Sequence, residues 1–172
     1  ILIGGYYNNS IEALKDLDPP CDENIVYNFH CYEPLIFTHQ GAYWISSMDT
    51  SFRMPIDMTY GEYEERAKEQ LQHYFVSFGD LDRSKKFGPE FFEKLIAEAV
   101  QIAEERNVPL YCGEFGVIDL ASPEDTLEWY RMICSVFDKH GIGRAAWSYK
   151  AMDFGFTDGR LEGVIDEIVR LV

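Results

Sequence analysis

The chain has 172 residues and a formal net charge of −15, with 47% hydrophobic and 15% aromatic residues. This length accommodates one domain with a sizeable core, and the hydrophobic content argues against a disordered chain. The acidic balance argues against a nucleic-acid partner because phosphate contacts need a basic surface, whereas a neutral ligand would meet no such repulsion. No apolar run has membrane-spanning length, so we expect no membrane partner.

Four cysteines are present, at Cys21, Cys31, Cys112 and Cys134. They form neither a CxxC pair nor the spacing of a zinc site, so we expect free structural thiols. No motif indicates a metal or another cofactor, and none is expected. No signal peptide is recognisable, and the opening ILIGG resembles a strand already in progress, so we expect further sequence upstream.

Apolar runs predict four strands, at residues 1–5, 25–30, 109–114 and 143–149. Helical periodicity predicts helices at residues 11–17, 62–75, 89–107, 122–141 and 161–172. Pro89 marks a first turn, Ser122 is a predicted N-cap, and Gly141 is a predicted helix end. A long aromatic and polar loop is expected between the second strand and residue 60.

The alternation of strands and helices predicts a parallel α/β fold. Loops that follow the second and fourth strands are rich in Tyr, Trp, His and Asp, as in β/α barrels, where those loops build the site. We therefore predict one half-barrel domain, (βα)4, over residues 1–172, related to a TIM barrel. A doubly wound sheet is the alternative, although Gly4-Gly5 alone is weak evidence for its phosphate-binding turn.

The strongest candidate for chemistry is Glu114, which ends an apolar strand within the sequence GEFG. A buried carboxylate is costly unless it is paired or functional, but this side chain could also simply reach solvent. His30 and Tyr32 alternate at the end of the second strand, so they are expected on one side of it. They could orient a carboxylate, or could instead be satisfied by backbone groups.

Aromatic and basic residues near these strand ends are candidates for sugar binding. Trp147 is predicted near the end of the fourth strand, where it could either pack in the core or form a platform for a sugar ring. His39 and Trp44 follow the second strand, and Lys150 follows the fourth. Trp44 could stack on a ligand or merely pack, and His39 could support the loop.

Three motifs occur in order: NFHCYEP with FTHQGAYW, then YCGEFG, then AAWSYKAMDFGF. Together with the opening IGGYYNNSIEAL, they resemble glycoside hydrolase family 5, the cellulase-like β/α barrels, over essentially the whole chain. FTHQGAYW is the most specific of these motifs. The resemblance implies barrel strands five to eight and secretion from the cell.

The resemblance also implies a retaining glycosidase that cleaves β-1,4-linked glucan. Glu114 matches the family's nucleophile, His30 and Tyr32 match the pair that borders it, and Trp147 matches the tryptophan beneath the reacting sugar. The implied partners are a β-glucan or oligosaccharide, and either a second copy or a complementary half-barrel.

The chain departs from the family at the acid/base glutamate, because it contains no Asn-Glu-Pro motif. Glu33 precedes Pro34 but follows Tyr32, and its position matches a different strand. We therefore expect a chain that is inactive without a first half. A non-catalytic carbohydrate-binding or self-assembling half-barrel is the alternative.

Overall fold

In a computed structural model of the chain, residues 1–72 and 78–172 are described. The strands are β1 (Leu2–Gly4), β2 (Val26–Cys31), β3 (Leu110–Phe115) and β4 (Gly143–Arg144). They form one sheet in the order β1–β2–β3–β4, in which each neighbouring pair is parallel. The predicted parallel α/β half-barrel is confirmed.

The helical segments are α1 (Tyr6–Asn9), a 3-10 helix (Ile11–Asp16), α2 (Leu35–Thr38), α3 (Tyr60–Gln70), α4 (Pro89–Arg106), α5 (Pro123–His140) and α6 (Ile165–Leu171). Helix α1 is a short turn rather than a regular helix, because Tyr7 and Asn8 have left-handed backbone angles. None of the helices in the described ranges is long and apolar enough to cross a membrane.

The ends of the longer helices follow from local signals in the sequence. The Ser122 hydroxyl accepts a hydrogen bond from the Asp125 backbone N–H at 3.1 Å, which satisfies one free amide at the start of α5. Gly141 ends that helix with φ 64°, a left-handed conformation that glycine adopts without steric cost. Pro89 occupies the first turn of α4, as predicted.

Three of the predicted elements were wrong in their extent, and one was wrong in its type. The predicted strand 143–149 is regular only at Gly143–Arg144, so Trp147 lies beyond β4. Past Trp147, Ser148 exchanges backbone hydrogen bonds with Phe154 and Phe156 at 3.3 and 3.0 Å, so its polar groups are satisfied within the loop and not along β3.

The predicted helix 161–172 begins only at residue 165, because the preceding residues form a hydrogen-bonded turn at Leu161. The predicted helix 11–17 is a 3-10 helix. Helix α3 ends at Gln70, and residues 73–75 of the predicted helix 62–75 lie outside the described residues.

The two faces of the sheet differ in burial. Alternate residues of β2, at Tyr27, Phe29 and Cys31, are buried against the helices. The residues between them face the other side and are only half-buried, and Leu2, which pairs in register with Val26, is 59% exposed. Only the outer side of the sheet is therefore a completed hydrophobic core.

The cysteines are free, as expected. Three of them are buried and Cys21 is exposed. No group of three or more His, Cys, Asp or Glu side chains that could hold a metal ion occurs within residues 1–72 and 78–172.

Candidate active site

The site forms where β2 and β3 end side by side. The parallel register pairs Phe29 with Cys112, and an irregularity after Phe29 then brings His30 opposite Glu114. Because parallel strands present their carboxyl ends at the same edge of a sheet, one shift in register is enough to place two strand-end side chains together. The ends of β2 and β3 therefore place an imidazole and a carboxylate next to each other.

Two groups meet the same oxygen of the Glu114 carboxylate. The Tyr32 hydroxyl donates a hydrogen bond to Oε2 at 3.1 Å, and His30 Nδ1 lies 3.3 Å from that oxygen. The Glu114 side chain is 32% exposed and that of His30 is 17% exposed. Within the described residues nothing donates to the other oxygen, Oε1, so this oxygen is free to meet a ligand.

Tyr32 is held in its protonated form. Burial, followed by the negative charge of Glu114, raises the pKa of the Tyr32 hydroxyl well above its usual range. The hydroxyl therefore remains a donor across the working pH range of a protein, and it stabilises the ionised carboxylate beside it.

A cavity of about 780 Å³ opens over this carboxylate. Glu114, His30 and Tyr32 form one side, and the turn that follows β1 forms another side through Tyr7 and Asn9. This volume is within the range of pockets that bind small molecules. The cavity is large enough for sugar residues to reach Glu114.

His39 lines the cavity and belongs to an aromatic cluster. Its ring centroid is 5.3 Å from Tyr32, 5.9 Å from Trp44 and 5.4 Å from Phe154, with the rings edge to face. Burial lowers the pKa of His39 to about 4, so the ring is neutral at pH 7. The Thr38 hydroxyl bonds its Nδ1 atom at 3.0 Å.

The remaining candidates lie further out. Trp147 and Trp44 are 36% and 44% exposed, and neither contributes to the cavity wall. The Trp147 backbone N–H donates to Phe115 O at 2.9 Å, which anchors the indole next to the strand end that carries Glu114. Lys150 is exposed, and its ammonium has no ion pair with a described residue.

Two residues that line the cavity were not among the predicted site residues. Asn9 Nδ2 lies 3.3 Å from His30 Nε2, and the Glu33 carboxylate accepts a hydrogen bond from the Tyr32 backbone N–H at 2.9 Å. Burial and the nearby Glu12 raise the pKa of Glu33. The adjacent asparagines after Gly4-Gly5 indicate a turn, but no local signal indicates that the turn reaches His30.

The family model for cellulase, glycosyl hydrolase family 5, matches residues 1–153. The chain belongs to this family. Cellodextrinase A of Ruminococcus flavefaciens is 41% identical over 144 residues, which cover 84% of this chain and 35% of the relative. Endoglucanase C of Acetivibrio thermocellus is 35% identical over 173 residues, which cover 100% of this chain and 50% of the relative. The chain thus spans half or less of these relatives.

Solved family 5 structures have the same fold over this length. The chain is similar to the endoglucanase Cel5A of Thermotoga maritima with a TM-score of 0.68, over 99% of this chain and 47% of that one, at 21% identity. A complex of that enzyme with mannotriose gives a TM-score of 0.67 at 22% identity. At this identity the likeness concerns the fold, and it relates the four-stranded sheet to about half of a TIM-barrel chain.

Proposed function

We propose that this chain carries the nucleophile half of a retaining glycoside hydrolase that acts on β-1,4-linked glucan or its oligosaccharides. The observation that carries the proposal is the environment of Glu114. One oxygen is held by Tyr32 and faces His30, the other accepts no hydrogen bond from a described residue, and the side chain lines a cavity of about 780 Å³. The names of the two curated relatives, a cellodextrinase and an endoglucanase, support the substrate class.

In the proposed reaction, Glu114 Oε1 attacks the anomeric carbon and forms a glycosyl ester as the bond to the leaving oxygen breaks. The leaving oxygen must receive a proton from a second carboxyl group, which then removes a proton from water. That water attacks the anomeric carbon, and the bond between this carbon and Glu114 breaks, which releases the carboxylate. Tyr32 donates a hydrogen bond to the carboxylate and His30 faces the same oxygen, so both orient it before attack and contact it again as it leaves.

The second carboxyl group is proposed to come from outside this chain. The Asn-Glu-Pro motif that carries it in the family is absent. Glu33 lies in the cavity, but its carboxylate is already engaged by the Tyr32 backbone N–H. General acid assistance typically contributes roughly 10²–10⁴-fold, so we expect the chain alone to cleave unactivated glucan very poorly.

We propose that a further four strands complete the site, either in a complementary half-barrel or in a second copy of this chain. The face of the sheet opposite the helices supports completion by another half, because Leu2 is 59% exposed on that face. A closing half would cover this apolar side chain.

Sugar binding is assigned to residues around the cavity. Trp147 is proposed to stack on the apolar face of a sugar ring, and Trp44 to extend that surface with His39 behind it. Lys150 is proposed to reach hydroxyl groups from the loop beyond Trp147. A polymeric glucan cannot enter a cell, so we propose that the protein acts outside it.

Leaving-group dependence tests the proposal. The chain alone should release dinitrophenolate from 2,4-dinitrophenyl β-cellobioside, whose leaving group needs no proton, but should leave cellotetraose almost intact. Glu114→Gln should abolish the release, whereas the matched change Glu33→Gln should preserve it. Efficient cleavage of cellotetraose by the chain alone would contradict the assignment of the acid, and release by Glu114→Gln would contradict that of the nucleophile.

A non-catalytic carbohydrate-binding half-barrel is the second candidate. It is favoured by the exposure of Tyr43, Trp44 and Trp147 at 74%, 44% and 36%, because exposed aromatic rings are suited to stacking on sugars. Calorimetric binding of cellotetraose with no release of dinitrophenolate would support this candidate over the hydrolase.

A further inference from the structure

A chain of polar contacts reaches Glu114 from the turn that follows β1. Asn9 Nδ2 lies 3.3 Å from His30 Nε2, and His30 Nδ1 lies 3.3 Å from Glu114 Oε2. Both nitrogens of one imidazole ring are therefore engaged, one by an amide and the other by a carboxylate. The arrangement constrains where the ring carries its proton.

The chemistry of the two partners determines the tautomer. An ionised carboxylate can only accept hydrogen bonds, so the nitrogen that faces Glu114 must carry a proton. A neutral imidazole carries one proton, which leaves Nε2 as an acceptor. The Asn9 amide offers an N–H to that acceptor. If Nε2 also carried a proton, two hydrogen-bond donors would face each other and repel.

The backbone holds Asn9 in this position. Tyr7, Asn8 and Asn9 have φ values of 47°, 54° and 59°, a left-handed run in which asparagine is among the better tolerated side chains. The carboxamide lies over Gly4, and a Cβ atom at that position would overlap its oxygen and its carbon. The oxygen faces Gly4 and the amide nitrogen faces His30.

We propose that Asn9 is a positioning residue that selects the Nδ1–H tautomer of neutral His30 and so directs an N–H towards Glu114. The tautomer itself follows from the contacts of Asn9, His30 and Glu114. Its consequence for catalysis rests on the proposed role of Glu114 as the nucleophile. Asn9 acts through His30 and need not touch the sugar.

Nitrogen-15 NMR of the histidine rings tests the tautomer without any substrate. At pH 7.5 the His30 signals, assigned by their loss in His30→Gln, should show a protonated Nδ1 and an unprotonated Nε2. Asn9→Asp replaces the donor with an acceptor, so Nε2 should gain a proton. An Nε2–H in the unsubstituted protein, or an unchanged ring in folded Asn9→Asp, would overturn the proposal.

Asn8→Asp is the matched control. Asn8 has the same left-handed conformation and lines the same cavity, but its side chain makes no hydrogen bond to His30 in the described part of the chain. The Asn8→Asp substitution adds the same negative charge one residue away from position 9. The His30 signals should still show a protonated Nδ1 and an unprotonated Nε2. The same protonation of Nε2 in both variants would assign the effect to charge alone and overturn the proposal.

The catalytic consequence is measured separately, with an activated 2-fluoro cellobioside. Asn9→Asp should slow covalent labelling of Glu114 by about tenfold relative to Asn8→Asp, since a doubly protonated, positively charged His30 would hold the carboxylate more tightly and make it a weaker nucleophile. Equal labelling rates despite a changed tautomer would overturn the catalytic part alone. Labelling of a different residue would overturn the proposed function and leave the tautomer assignment standing.

Discussion

The neutral state of His39 predicts a specific loss of stability in acid. Burial lowers the pKa of His39 from 6.5 to about 4, so the folded protein resists a proton that the unfolded chain accepts. The stabilisation is fully present above pH 6.5 and is lost as the pH falls from there through about 4. The shift corresponds to about 3 kcal/mol in total, of which about 2 kcal/mol is lost by pH 5.

Urea unfolding at pH 7.5 and pH 5 measures this loss, with His39→Gln as the non-titrating comparison. The free energy of unfolding should fall by about 2 kcal/mol more in the unsubstituted protein than in His39→Gln, because all other groups titrate in both. A parallel fall in the two proteins would show that His39 takes up its proton as easily in the aromatic cluster as in water, and would refute the reasoning.

Three further predictions concern the contacts around Glu114 and the open sheet. Tyr32→Phe should slow covalent labelling of Glu114 roughly 10–100-fold in a folded protein, because a hydrogen bond to a charged group contributes about 1.5–3 kcal/mol; an unchanged rate would count against the contact. Trp147→Ala should weaken cellotetraose binding by about 1–3 kcal/mol in calorimetry, and unfolding of the variant would instead indicate a packing role. Light scattering at micromolar concentration should give a dimer of the 19.9 kDa chain, and a compact monomer would contradict self-association through the open edges.

Much of the fold could be predicted from local patterns. The second and third strands were placed within one residue of β2 and β3, because each is a short apolar run that alternates between two faces. Helix α5 was predicted from the N-cap at Ser122 and the glycine at 141, and both make the expected terminal contacts. These signals lie within a few residues of the elements that they define.

The fourth strand shows where local patterns fail. Residues 143–149 are apolar and aromatic enough for a strand, and Ala145 and Trp147 still donate to β3 at 2.9 Å. The regular strand nevertheless ends at Arg144, since Ser148 finds its backbone partners in Phe154 and Phe156. This competition between two sets of partners depends on a turn that apolar periodicity does not encode.

The candidate site likewise has one part that could be predicted from the sequence and one part that could not. The proximity of His30, Tyr32 and Glu114 was expected because parallel strands end at a common edge, and the structure brings these three side chains together. The approach of Asn9 could not be anticipated. It requires three consecutive left-handed residues that place the Asn9 side chain over Gly4, and although the glycine is seen in the sequence, the backbone angles and the contact become visible only in three dimensions.

Covalent trapping tests the central claim most directly. The chain, closed by a complementary half-barrel, should be treated with 2,4-dinitrophenyl 2-deoxy-2-fluoro-β-cellobioside, whose fluorine slows breakdown of the ester after the activated group has left. We predict one fluoro-cellobiosyl group per site, mapped by mass spectrometry to the peptide of Glu114 and absent from Glu114→Gln. A label on Glu33 or another carboxylate, or no label in the closed barrel, would contradict the assignment of Glu114 as the nucleophile.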